Sequence, residues 1–141
     1  MVMLIGEVSK KYNISIETLR FYDKIGLLTV ERKNNRRYYS EKDIQRLQSI
    51  MAMKEMSFSL EEIKKILEID ERIDKGLENG TINHEDIKIL LNEVRKKQTE
   101  ILEKERELKK VKNQLNIIIN KIMDMKSDDK DSDYKKSDGN G

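Results

Sequence analysis

Thr18, Arg20 and Tyr22 place a hydroxyl, a guanidinium and a phenol within five residues, in the run Ser15-Ile16-Glu17-Thr18-Leu19-Arg20-Phe21-Tyr22-Asp23-Lys24. Arg36, Arg37 and Tyr38 repeat the combination further along. Such groups donate hydrogen bonds to base edges and phosphates, which is the chemistry of nucleic-acid recognition. The plainer reading is that Arg20 solvates a helix face and the tyrosines pack beneath the segment after it. The ordered combination favours DNA. No catalytic arrangement competes with it. Ser9, Ser15, Ser40 and Ser59 have helix or cap explanations, the acids are scattered among Lys/Arg neighbours, and no glycine-rich phosphate loop exists. Cysteine is absent, which excludes disulfides, thiolate metal sites and thiol redox chemistry. His84 is the one imidazole. Beside Glu85 and Asp86 it reads as an exposed first-turn residue, because one His and two adjacent acids do not share a helix face. No enzyme activity, metal or cofactor is therefore expected.

The elements around these residues are short helices and a hairpin. Ile5–Tyr12 is a first helix, and Asn13 suits the left-handed turn after it. Ser15 caps a second helix with Glu17 in its first turn, and Gly26 closes it. Ile16 and Leu19, with Phe21 beside them, are placed inward, leaving Thr18, Arg20, Tyr22 and Asp23 toward solvent. Leu28–Arg32 and Arg37–Tyr39 have strand composition, and Asn34-Asn35 between them favours a tight reversal, giving a two-stranded wing with a basic tip. Ser40-Glu41-Lys42-Asp43 opens a third helix to about Glu55, with Ile44, Leu47, Ile50 and Met51 inward. Ser59-Leu60-Glu61-Glu62 opens a fourth that buries Ile63, Ile66 and Leu67. Met51, Met53 and Met56 read as core packing rather than as an adaptable pocket.

From Asn83 a long helix runs to about Met125, roughly 63 Å at ~1.5 Å per residue. Ile87, Val94, Ile101, Leu108, Leu115 and Ile122 recur every seven residues along it. A lone exposed helix cannot hide such a stripe, so these six are the expected dimerisation seam of a coiled coil. Gln98 and Glu105 make the second seam polar in the middle, before it resumes at Val111, Ile118 and Met125.

Charged residues are 40% of the 141 and apolar ones 36%, which suits a small head on a long solvated helix. Net charge is only +2, but residues 1–60 carry eleven Lys/Arg against seven Asp/Glu, and the last fifteen carry three Lys against five Asp. The expected division is 1–70 DNA-binding head, 71–82 linker, 83–126 coiled coil and 127–141 disordered polar tail. No stretch has membrane-span length and Met1 nearly abuts the first helix, so a cytoplasmic protein without a signal peptide is expected.

Ile5-Gly6-Glu7-Val8, Thr18-Leu19-Arg20-Phe21-Tyr22-Asp23, Ile25-Gly26-Leu27-Leu28, Arg37-Tyr38-Tyr39-Ser40 and Phe58-Ser59-Leu60-Glu61-Glu62-Ile63 stand in the order and spacing of a known family. Over Met3 to Ile69 the chain closely resembles the N-terminal domain of MerR-family transcriptional regulators. Four positions depart from the family's habit: Val30 for Pro, Asn35-Arg36 for Gly-Tyr, Ser57 for Gly and Phe21 for Tyr. The resemblance implies a mainly α fold: a winged helix-turn-helix head of four helices and a two-stranded wing, then an antiparallel dimeric coiled coil. It implies a homodimer on a pseudo-palindromic promoter operator of double-stranded DNA, distorting that DNA so that RNA polymerase engages it differently. The residues expected to face DNA are Thr18, Arg20, Tyr22, Arg36, Arg37, Tyr38 and Ser59. Metal-sensing and redox members use cysteines and drug-sensing members append an effector domain, so any small-molecule effector is left undefined here. The rival from another class is an architectural or chromosome-anchoring protein with the same head. A recombination-directionality factor shares the head but normally lacks so long a coil.

Overall fold

The computed structural model describes residues 2–139, with side chains through residue 128. Its elements run β1 (Met3–Leu4), α1 (Ile5–Tyr12), α2 (Ile16–Lys24), β2 (Glu31–Lys33), β3 (Arg36–Tyr39), α3 (Glu41–Glu55), α4 (Leu60–Glu78) and α5 (His84–Gly139). Two compact units divide the chain, Met1–Val94 and Arg95–Gly141.

Caps set most of these boundaries. Asn13 ends α1 at φ 52°, a conformation its short polar side chain tolerates. Ser15 Oγ accepts from the Thr18 backbone N–H at 3.0 Å and starts α2. Gly26 follows α2 at φ +74°. Both expected capping boxes form. Ser40 Oγ accepts from Asp43 N at 3.2 Å while Asp43 Oδ2 accepts from Ser40 N at 2.8 Å. Ser59 and Glu62 exchange the same pair at 3.1 and 2.9 Å.

The wing is a two-residue hairpin, Lys33 opposite Arg36, with Asn34 and Asn35 both at positive φ. That is the turn whose twist matches right-handed strands, and Asn serves it nearly as well as glycine. The sheet has a third strand that composition did not suggest. β1 pairs with β3 as Met3↔Tyr39 and Leu4↔Tyr38, so the order is β1-β3-β2. Beneath lies one core, including Val8, Leu19, Tyr22, Leu27, Leu28, Tyr39, Leu47, Ile50 and Ile63, with Met51, Met53 and Leu90 packed at its edge.

One expectation changes. Residues 71–78 are not linker: α4 runs on to Glu78. Gly76, in the last turn of α4, is kept clear for the returning chain. A Cβ there would stand 2.4 Å from the Thr81 carbonyl oxygen, while Thr81 N donates to the Gly76 carbonyl at 2.7 Å. Asn83 then caps α5, accepting from Glu85 N and Asp86 N, and Arg72 grips Asp86 through two nitrogens at 3.0 and 3.3 Å. The disordered polar tail expected over 127–141 falls mostly outside the residues whose side chains are described. The α5 backbone is helical from His84 to Gly139. The tail's side chains from 129 on, and residues 140 and 141, lie outside the described residues.

Candidate nucleic-acid interface

The second helix is held from three sides, and this fixes which of its residues face outward. Leu19 and Tyr22, one turn apart, enter the core. After the helix, the Leu27 and Leu28 amides both donate to the Tyr22 carbonyl, at 2.9 and 3.1 Å. The loop's own carbonyls are met by side chains from the later helices: Lys64 Nζ reaches Ile25 O at 3.1 Å and Arg46 Nε reaches Leu27 O at 2.7 Å. Arg46 also pairs with Glu71. At the end of α2, Asp23 takes Arg37 Nε at 2.9 Å and Arg32 Nη2 at 3.5 Å, which ties the wing to the helix.

The outward face of α2 is then Glu17, Arg20, Phe21 and Lys24, all exposed. Beside it lies a groove of about 500 Å³ lined by α1's start (Ile5, Gly6, Glu7, Lys10), by Arg20, and by the wing residues Asn35, Arg36 and Arg37. Lys10, Arg20 and Arg36, all exposed, therefore line one concavity with the part-buried Arg37, against a single carboxylate, Glu7. Cations so placed suit phosphate, and a helix flanked by them is positioned to carry side chains to base edges.

The predicted site residues divide. Arg20 and Arg36 are exposed and line this groove. Thr18 is half-buried at the start of α2, its Oγ1 2.6 Å from Ser15 Oγ. Arg37 lines the groove, but its Nε is committed to Asp23 and its side chain is 18% exposed, so it also braces the wing. Tyr38 is half-buried in the middle strand, opposite Leu4 and Glu31. Ser59 is exposed, engaged in the α4 capping box, and stands apart from the groove.

Tyr22 is a correction. It is 3% exposed, and burial pushes its phenol above the usual range, whereas Phe21 is 46% exposed. The reason is helical phase. Taking Leu19 as the core direction, Tyr22 lies roughly 60° away and Phe21 roughly 160° away at ~100° per residue. Placing Phe21 inward and Tyr22 toward solvent exchanged the two aromatics. The same phase, measured from Leu19, would have found Phe21 and Lys24. Asp23 is the other residue missed, because its partners lie nine and fourteen positions downstream. Tyr39, fully buried, has no partner for its hydroxyl among the described residues. Burial raises its pKa to about 12; Arg37 opposes the rise, while Asp23 and Asp43 add to it.

Along α5 the heptad residues Ile87, Val94, Ile101, Leu108, Leu115 and Ile122 are all exposed, from 40% at Ile101 to 68% at Leu108. Val111, Ile118 and Met125 are exposed as well. Among the described residues no group of three or more His, Asp or Glu is arranged to hold a metal.

These features agree with the comparisons. The MerR HTH family regulatory protein model matches residues 3–69. An uncharacterized HTH-type transcriptional regulator of Bacillus subtilis, YyaN, is 34% identical over 115 residues, covering 76% of this chain and 80% of its own. The mercuric resistance operon regulatory protein of Bacillus cereus is 36% identical over 70 residues, 48% of this chain and 53% of that protein, so the chain spans about half the length of that relative. Among solved structures, HiNmlR, a MerR family regulator lacking the sensor domain and bound to promoter DNA, aligns at TM-score 0.59 and 31% identity, over 82% of this chain and 88% of that one. With the capped helix pair, the Asn-Asn wing and a relative matched across most of both lengths, this chain belongs to the MerR family of helix-turn-helix transcriptional regulators.

Proposed function

We propose that the protein binds a pseudo-palindromic operator within a promoter as a homodimer and alters transcription by distorting that DNA. The observation that carries this reading is the groove beside α2, on which Arg20 and Arg36, from two separate elements, open together. α2 lies in the major groove with Arg20 toward bases or phosphate, and the wing grips the adjoining backbone. The dimer is supported by the uncovered α5 stripe, since a row of exposed large apolar side chains of this length marks an interface. Its antiparallel orientation rests on the family likeness. Two heads on one rigid dimer impose a fixed spacing on the half-sites, and the duplex bends to meet it at a cost on the order of 1–6 kcal/mol, offset by the phosphate contacts the bend allows.

HiNmlR on its promoter DNA supports DNA as the partner, and the reading takes RNA polymerase at the same promoter as the machinery affected. The relatives matched are transcriptional regulators, which does not favour the architectural reading and supports a non-enzymatic role in the cytoplasm. Among the described residues no helix is long and apolar enough to cross a membrane. Footprinting on the promoter of the protein's own gene, combined with transcription in vitro, tests the proposal. A footprint confined between the polymerase elements with altered transcript yield is expected. Scattered protection without transcriptional effect would refute it.

A further inference from the structure

Phe21 is the one large apolar side chain on the outward face of α2, and the core does not account for it. It is 46% exposed among Glu17, Arg20 and Lys24, which are all exposed, and it points away from the fully buried Leu19. A phenyl ring there leaves apolar surface in water in the free protein. A ligand that covers it must offer an apolar group inside an anionic surround, because the exposed Arg20 and Lys24 share its face of α2 and Arg36 lines the same groove as Arg20. The floor of the DNA major groove offers one apolar feature among its donors and acceptors, the 5-methyl group of thymine, with phosphates on either side.

We propose that Phe21 is a specificity-determining residue that packs its ring on a thymine methyl group in each half-site. The inference rests on the reading of α2 as the helix in the major groove. It assigns Arg20 and Lys24 to the polar surround of that contact and Phe21 to its centre. Phenylalanine, having no hydroxyl, discriminates through the methyl group alone.

The test uses the full chain and duplexes enriched by it from a random pool. Each thymine of the enriched site is replaced in turn by uracil, which removes the methyl group and nothing else. Wild type is expected to lose about fourfold in affinity at one thymine of each half-site, the worth of one buried methyl. Phe21→Ala is expected to bind thymine and uracil duplexes alike, and Phe21→Tyr, which keeps the ring, to retain the discrimination. Sequence-specific binding by wild type that ignores every thymine-to-uracil exchange would overturn the Phe21 proposal and leave the α2 reading standing. So would discrimination that survives in Phe21→Ala, or a Phe21→Ala variant whose only change is a shift in sedimentation, marking the ring as a contact between copies. Failure to enrich any duplex would overturn the DNA-binding reading itself.

Discussion

Replacing Asp23 by Asn tests how the wing is held against α2. Both guanidinium contacts, 2.9 Å from Arg37 and 3.5 Å from Arg32, converge on one carboxylate oxygen. Asp23 is 10% exposed and Arg37 18%, so water screens this pair only in part. At an effective dielectric near 20, unit charges about 3 Å apart attract by about 5–6 kcal/mol before desolvation is subtracted. Hydrogen bonds to charged groups retain about 1.5–3 kcal/mol net, and the exposed Arg32 adds little. Asn keeps the shape and an acceptor oxygen but loses the charge, so Asp23→Asn should cost about 1–2 kcal/mol. For a unit of this size that lowers the midpoint by about 4–8 °C per kcal/mol. Far-UV signal is dominated by α5, so amide exchange at Arg37–Tyr39 is the readout, and its protection should fall. A second effect runs the other way. With the anion gone, Arg32 and Arg37 are released toward phosphate, so non-specific DNA binding at low salt should tighten and its logarithmic salt slope steepen by about 0.9 for each phosphate gained. Unchanged exchange at β3, together with a double-mutant cycle with Arg37→Gln that gives no coupling, would refute the tether.

Arg20→Ala should weaken operator binding by about 1–3 kcal/mol if Arg20 reads a base, and unchanged affinity in titration would remove it from the interface. Leu108→Asp combined with Leu115→Asp should give a monomer in sedimentation and abolish tight operator binding; a variant that stays dimeric contradicts the coiled coil. Tyr39→Phe removes a buried hydroxyl that has no partner among the described residues and should stabilise the head by about 1–3 kcal/mol in denaturant unfolding. Its pH signature has a definite sign. The unfolded chain releases the Tyr39 proton near pH 10 and the native state holds it to about 12, so wild type loses stability as pH rises through this window, by up to about 2.7 kcal/mol at 1.36 kcal/mol per unit. The Phe variant should lack that part of the slope. Ser57→Gly should stabilise by about 0.5–1 kcal/mol, because Ser57 sits at φ 68°, where a side chain costs about 1–2 kcal/mol and glycine returns part of that as chain entropy; a lower melting midpoint would show that the turn is not strained.

What the sequence made legible is what is local. The Ser15, Ser40, Ser59 and Asn83 caps, the Asn13 and Asn34-Asn35 turns and Gly26 each act within a few residues, and each is found where the side chain's own chemistry put it. The exchange of Phe21 and Tyr22 arose because both aromatics suit a core and only phase separates them. The extension of α4 past residue 70 was hidden by Gly76, whose lack of a side chain serves the approach of Thr81 rather than a break. The two-residue strand β1 leaves almost no pattern to read.

The placement of the groove-facing side chains depends instead on contacts between distant residues. Asp23 with Arg37, Leu27 with Arg46 and Ile25 with Lys64 join positions 14, 19 and 39 residues apart. Two of them spend cations on backbone carbonyls of the turn after α2, and the third spends one on a carboxylate at the helix end. The charge count over residues 1–60 treats Arg37 and Arg46 as available to DNA, yet both, together with Lys64, are engaged in fixing the angle of α2 and the wing. The cations left exposed on the groove are few, and this favours discrimination. Each additional free cation adds affinity for any duplex alike, whereas a rigidly mounted Arg20 and Phe21 gain contact only where a particular base edge meets them. On this division, loss of a brace should relax specificity while leaving non-specific affinity equal or higher, and loss of Arg20 should lower specific binding with the fold intact.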